Sequence, residues 1–221
     1  MSDIAGNISH IRSQLPSTVK LVAVSKTKPV SDIFEAYNVG QRLFGENRFQ
    51  ELLNKKDLLP SDIEWHFIGH LQSNKVKYIV PFIGMIQSVD SHRLLATINS
   101  EALRNGRVID CLLQIHIASE ESKSGFSMHD LYENLQSENI LNLRNVRICG
   151  IMGMATFTSD INIVKKEFVY LRDCFHSLND RYFKSTTYFT EISMGMSGDY
   201  QVAVSEGSTM VRIGSLIFGE R

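Results

Sequence analysis

A lysine placed where an apolar run stops is the first feature that could do chemistry. In Val24-Ser25-Lys26-Thr27-Lys28-Pro29, Lys26 follows the strand-like stretch Leu21–Ser25. In a parallel α/β architecture that is the edge where ligands bind. Partial desolvation there lowers an ammonium's pKa and supplies the neutral amine that attacks an aldehyde to give a Schiff base. Lys28 adds like-charge repulsion in the same direction. Taken alone, a strand-end lysine is ordinarily a solvated one. The second feature is a pair of glycine- and serine-rich strand ends, Ile192–Asp199 (ISMGMSGD) and Gly207–Ser215 (GSTMVRIGS), the first leading into a helical pattern, Asp199–Glu206. Small residues let backbone N–H groups close on an anion, and a helix N-terminus adds favourable partial charge. One such loop is equally well a tight turn that needs glycine for geometry; two on neighbouring strands favour phosphate.

Other candidates are weaker. In Trp65–Lys75 (WHFIGHLQSNK), His66 lies within a strand and His70 beyond it, so the i, i+4 spacing of a helical metal site does not apply. Gln72, Asn74 and Lys75 form a polar lip or a solvated helix start. Asn47 closes Phe44–Asn47 (FGEN) and is placed either to meet a ligand or to cap the following helix. Lys123 and Ser124, in Ser119–Gly125, stand at the end of a fifth strand or in plain surface loop. No GxxxxGK[ST] or GxGxxG motif is present.

These residues need a frame. Eight apolar strands are expected, at Leu21–Ser25, Leu43–Glu46, Glu64–Gly69, Met85–Val89, Cys111–Ala118, Val146–Met154, Thr190–Gly195 and Met210–Gly214. Their near-continuous apolar character suits a parallel sheet buried on both faces. Helical periods lie between them: Val30, Ile33, Phe34 and Tyr37; Leu94, Leu95, Ile98 and Ala102; and Ile161 through Leu178. Ser127 with Asp130 marks the start of a helix carrying Leu131 and Leu135, and a leading helix covers Asp3–Leu15. Eight βα units favour a closed (β/α)8 TIM barrel with an extra N-terminal helix over an open doubly wound sheet, in a single domain, 1–221.

The 221 residues are 43% hydrophobic and 21% charged, with 23 Lys plus Arg against 24 Asp plus Glu. That composition excludes disordered and fibrous classes, and near-neutral charge gives no broad footprint for nucleic acid. Cys111, Cys149 and Cys174 are odd in number and widely spaced, which fits a reducing, cytoplasmic compartment. No apolar run approaches the ~20 residues of a membrane span.

Barrel closure sets the eighth strand beside the first, so the Lys26 amine faces the glycine-serine cradle. An aldehyde-capturing amine opposite a phosphate site is what pyridoxal 5′-phosphate (PLP) requires. Arg212, on the eighth strand, is placed where it could point toward the ring. A guanidinium only donates, so it would keep the pyridine nitrogen unprotonated and the electron sink weak.

At these motifs the sequence resembles the pyridoxal phosphate homeostasis proteins, single-domain relatives of the alanine racemase N-terminal barrel. VSKTKP, FGEN, WHFIGHLQSNK, SKSG, GIMGM, SMGMSGD and GSTMVRIGS stand in that family's order and spacing over nearly the whole chain. The resemblance implies that Lys26 holds PLP as a Schiff base. It further implies that Ser197, Gly214 and Ser215 bind phosphate, that Arg212 meets the pyridine nitrogen and that Asn47 lies beside the cofactor. It implies a monomeric role in vitamin B6 and amino-acid homeostasis, with PLP-dependent apoenzymes as partners and no established turnover. Two alternatives are a small PLP-dependent racemase and a phosphosugar barrel enzyme whose Lys26 captures substrate. The length leaves no room for the extra domain of a racemase, which argues against the first of these. Met152 and Met154 are expected in the barrel interior, with approach to the cofactor the alternative for Met154.

Overall fold

The computed structural model describes residues 3–119, 125–136 and 140–220. Its strands are β1 (Lys20–Val24), β2 (Leu43–Glu46), β3 (Glu64–Phe67), β4 (Met85–Val89), β5 (Ile109–Gln114), β6 (Val146–Met152), β7 (Glu191–Ser193) and β8 (Met210–Ile213). They close a parallel barrel in chain order, with β8 hydrogen-bonded to β1 (Lys20 opposite Met210, Ala23 opposite Ile213). Every strand expected from sequence is present. β5 starts two residues earlier than its apolar run suggests, and every strand except β2 and β4 stops one to four residues earlier, because the chain leaves the sheet to build loops at that end.

The helices follow from their apolar stripes. In α1 (Ile4–Gln14), Asp3 caps by accepting the Gly6 N–H at 2.8 Å, and Ile4, Ile8 and Ile11 are buried. α2 (Val30–Asn38) and α3 (Phe49–Lys56) follow, then the single-turn α4 (Val76–Ile79) and α5 (His92–Arg104). At the start of α6 (Met128–Gln136), Ser127 Oγ accepts the Asp130 N–H at 3.0 Å and donates to the Asp130 carboxylate at 2.7 Å. α7 (Ile161–Leu178) buries Phe168, Leu171 and Leu178, each worth about 1.5–3 kcal/mol against exposure. α8 (Tyr200–Ser205) and α9 (Ser215–Phe218) close the order. The single-turn α4 and α9 are too short for any period to show in sequence.

Strand alternation divides the core in two. Ala23, Val211 and Ile213 face the helices in the main core, whereas Val22, Met85, Leu112, Cys149, Met152 and Met210 form a separate cluster, with Met154 partly buried against it. Polar strand residues occupy the buried interior too: His66, Gln87, Gln114, Ser193 and Arg212.

The three cysteines are buried and unbridged. Burial pushes the thiols of Cys149 and Cys174 up to about 12 and about 11, and raises that of Cys111 as well. The folded protein is therefore expected to resist a thiol reagent at pH 8 and to release three equivalents only on unfolding; rapid native labelling would contradict this.

Candidate functional site

The C-terminal ends of the strands surround a cavity of about 680 Å³. Lys26, Asn47, Ser197, Arg212, Gly214 and Ser215 all line it. Lys26 is half-buried in the turn after β1, followed by Thr27 at φ 64°, a left-handed conformation costly for a β-branched residue. Something must hold that turn, and α3 supplies it. Glu51 accepts the Thr27 N–H at 2.6 Å. Lys55 spends all three ammonium protons beneath the turn, on the Ser25 carbonyl at 2.9 Å, Glu46 at 2.7 Å and Glu51 at 3.3 Å. Ser25 Oγ donates to the same Glu46 oxygen at 2.7 Å. Burial raises the Glu46 carboxyl above its usual range although Lys55 and Ser25 pull it back. Burial also pushes on Glu51, but the Thr27 N–H and Lys55 outweigh it and hold that carboxyl low.

Lys28 is committed elsewhere. Its ammonium donates to the carbonyls of Phe218 and Glu220, both at 3.0 Å, and thereby ties the β1 turn to the end of α9.

Asn47 is not the cap of α3. That position belongs to Arg48, and Asn47 Oδ1 is buried without a hydrogen-bond partner among the described residues. The β3 end holds it in place: a Cβ on Gly69 would lie 2.2 Å from the Asn47 carbonyl oxygen. Gly69→Ala is therefore expected to cost about 2 kcal/mol and lower Tm by several degrees, whereas at Gly198 a Cβ meets nothing within 4 Å and alanine leaves Tm unchanged. Equal melting of the two variants would refute the packing argument.

At the opposite wall, Ser197 Oγ accepts long bonds from the Gly214 N–H (3.4 Å) and the Leu216 N–H (3.5 Å). Two backbone donors thus converge at the start of α9, an anion-favouring arrangement. Asp199 stands nearby, its Oδ1 accepting the Met196 N–H; burial raises its pKa against that bond and the Arg212 charge. Arg212 is buried and pinned at both ends, donating to Ser193 Oγ at 2.6 Å and the Gly153 carbonyl at 3.0 Å. Desolvation pushes its pKa down to about 10, with Asp199 opposing, so it stays cationic at neutral pH.

Part of the polar lip lies elsewhere. From the third strand's loop the cavity receives Ile68, Gly69 and His70, while Gln72, Asn74 and Lys75 run into a 3₁₀ turn outside it. Lys123 and Ser124 lie outside the described residues. Met154 reaches the cavity and Met152 stays in the inner cluster. Among the described residues no cluster of three metal-ligating side chains occurs, and no helix is long and apolar enough to cross a membrane.

Sequence reasoning missed the rim after β6. There Thr156 is held by Glu167 of α7, through its N–H at 2.7 Å and its hydroxyl at 2.6 Å, and Phe157 beside it is 99% exposed. A buried glutamate inside the apolar face of α7 was the signal available.

The alanine racemase N-terminal domain pattern matches residues 1–221. The pyridoxal phosphate homeostasis protein of Aquifex aeolicus is 41% identical over 203 residues, covering 91% of this chain and 87% of that protein. Its counterpart from Schizosaccharomyces pombe is 36% identical, covering 100% and 94%. Among solved structures, Synechococcus elongatus PipY with PLP bound superposes with a TM-score of 0.90 at 37% identity, covering 98% of this chain and 100% of that one. An alanine racemase from Clostridium difficile shares the fold alone, at a TM-score of 0.77 and 14% identity over 99% of this chain and 56% of that one. The barrel, its leading helix and the full-length matches agree: the chain belongs to the pyridoxal phosphate homeostasis protein family.

Proposed function

We propose that this protein binds PLP in the cavity and serves vitamin B6 and amino-acid homeostasis by holding the cofactor for PLP-dependent apoenzymes, as a cytoplasmic monomer without turnover of its own. The observation that carries the reading is the meeting of six residues from four strand ends around one cavity: Lys26, Asn47, Ser197, Arg212, Gly214 and Ser215.

The donor set fits the cofactor. Lys26 would offer the amine that the cofactor's aldehyde requires. Ser197, Gly214 and Ser215, with the Leu216 N–H, receive the phosphate. Asn47 Oδ1, buried and without a partner among the described residues, would lie beside the ring. When bound, PLP supplies an electron sink for reactions at an amino acid's α-carbon. Arg212 restrains that chemistry, because a pinned, charged guanidinium can only donate to the ring nitrogen and leaves it without a proton. A weak sink suits storage better than racemisation.

The test is borohydride reduction of the purified protein loaded with PLP, followed by peptide mapping. One pyridoxyl group on Lys26 is expected, with racemisation no faster than free PLP gives. Labelling confined to other lysines would overturn the assignment, and fast racemisation would overturn the storage role.

A further inference from the structure

Polar groups inside a barrel are expensive unless each finds a partner, since the interior is normally filled with apolar layers. Here four strands contribute such groups in contact. Arg212 of β8 donates to Ser193 Oγ of β7 at 2.6 Å, and Ser193 Oγ donates to Gln87 Oε1 of β4 at 2.7 Å. Gln87 Nε2 meets His66 Nδ1 of β3 at 2.8 Å, and His66 Nε2 meets Glu64 Oε1 at 3.1 Å. Arg212, Ser193, Gln87 and His66 are all buried, whereas the Glu64 side chain is 51% exposed at the opposite end of the barrel. Glu64 fits there because residue 84 is glycine: a Cβ would meet its Cγ at 2.7 Å.

The two ends fix every proton between them. Arg212 is an obligatory donor, so Ser193 must spend its single hydroxyl proton on the Gln87 carbonyl oxygen. The Gln87 amino group is thereby turned to His66, with its other proton toward Met210 Sδ at 3.1 Å. His66 must then present a lone pair at Nδ1 and carry its proton on Nε2, which donates to the Glu64 carboxylate. That bond holds the Glu64 carboxyl below its usual range. All four links point one way, from guanidinium to carboxylate.

We infer that Ser193, Gln87 and His66 form a directed hydrogen-bond relay that positions the Arg212 guanidinium at the cofactor's ring nitrogen and anchors it to Glu64 on the far face of the barrel. They are positioning residues, acting on the cofactor through Arg212. The inference deepens the PLP-binding proposal and rests on it for the ring nitrogen, but the relay itself belongs to the chain alone.

Two measurements separate the claims. In the PLP-free chain, ¹⁵N NMR is expected to show His66 as the Nε2–H tautomer; the Nδ1–H tautomer would overturn the relay whatever PLP does. In the PLP-loaded chain, His66→Leu removes the acceptor for Gln87, and His66→Asn keeps an amide oxygen where Nδ1 stood. His66→Leu is expected to raise the PLP dissociation constant about tenfold and redistribute the visible bands, with His66→Asn restoring the wild-type spectrum. Ser193→Ala, which deletes one hydroxyl and no packing, should act like His66→Leu and serves if that variant does not fold. Unchanged spectra and affinity in Ser193→Ala, with Lys26 still labelled by borohydride, would sink the relay and leave the PLP site standing. A wild-type chain that never labels Lys26 would sink the PLP site, and the NMR result would then decide the relay by itself.

Discussion

Lys26→Ala is expected to abolish covalent capture of PLP: no pyridoxyl group survives borohydride and denaturation at position 26, and the visible band of the loaded protein disappears. The fold should persist. Lys26 is half-buried, and Glu51 and Lys55 hold the turn that carries it, so the PLP-free variant should still fold and melt cooperatively. Weak non-covalent binding should remain, because Ser197, the Gly214 and Leu216 N–H groups and Arg212 are untouched. A variant that kept the wild-type band, with label on another lysine, would show that the amine at the end of β1 is not the one that matters.

Lys55→Met should cost the most stability of any substitution near the site. Removing one member of a buried ion pair leaves the other charged and desolvated, at a price of about 3–5 kcal/mol and a fall in Tm on the order of 10 °C. The deficit should depend on pH in a definite direction. Burial already holds the Glu46 carboxyl above its ordinary value, and loss of Lys55 removes what pulls it back. A carboxyl whose pKa is higher folded than unfolded binds more protons in the folded state, so stability falls as pH rises between the two values. Melting at pH 5 should therefore show a smaller deficit than melting at pH 8; a larger one would mean that Glu46 is not the group left stranded. Lys55 and Glu51 also hold Ser25 and Thr27, so PLP occupancy at Lys26 should drop in whatever folded protein survives.

The contrast between these two lysines marks what sequence could convey. Lys26, Asn47, Ser197 and Gly214 are legible because strand ends are, and a parallel barrel brings strand ends to one face. Lys55 is not legible: on α3 it looks like any surface lysine, and its partners at Ser25 and Glu46 are set by how α3 docks. The left-handed Thr27 leaves no trace in sequence, since glycine would be the expected residue there. His66, Gln87 and Ser193 are polar residues within apolar strands whose connection sequence reading passed over, because it depends on which interior positions face one another across the closed barrel. Lys28 shows the same limit in reverse. Proximity to Lys26 suggested electrostatic pressure, and the side chain instead reaches Phe218, 190 residues away.

The seam between β8 and β1 has a consequence for how the molecule comes into being. β8 is joined to β7 by backbone bonds (Thr209 N–H to Ile192, Met194 N–H to Met210, Arg212 N–H to Gly195) and along its whole length to β1, the partner most remote from it along the chain. Contacts of such high order are slow to form, because the entropy of the long loop is lost before the pairing offsets it. Lys26 stands on one side of this seam and Arg212, Gly214 and Ser215 on the other. A ligand that engages both sides acts as a clasp across the joint between the first and last strands. Saturation at a hundred times the dissociation constant would add about 2.7 kcal/mol to the folded state, much of it at the seam.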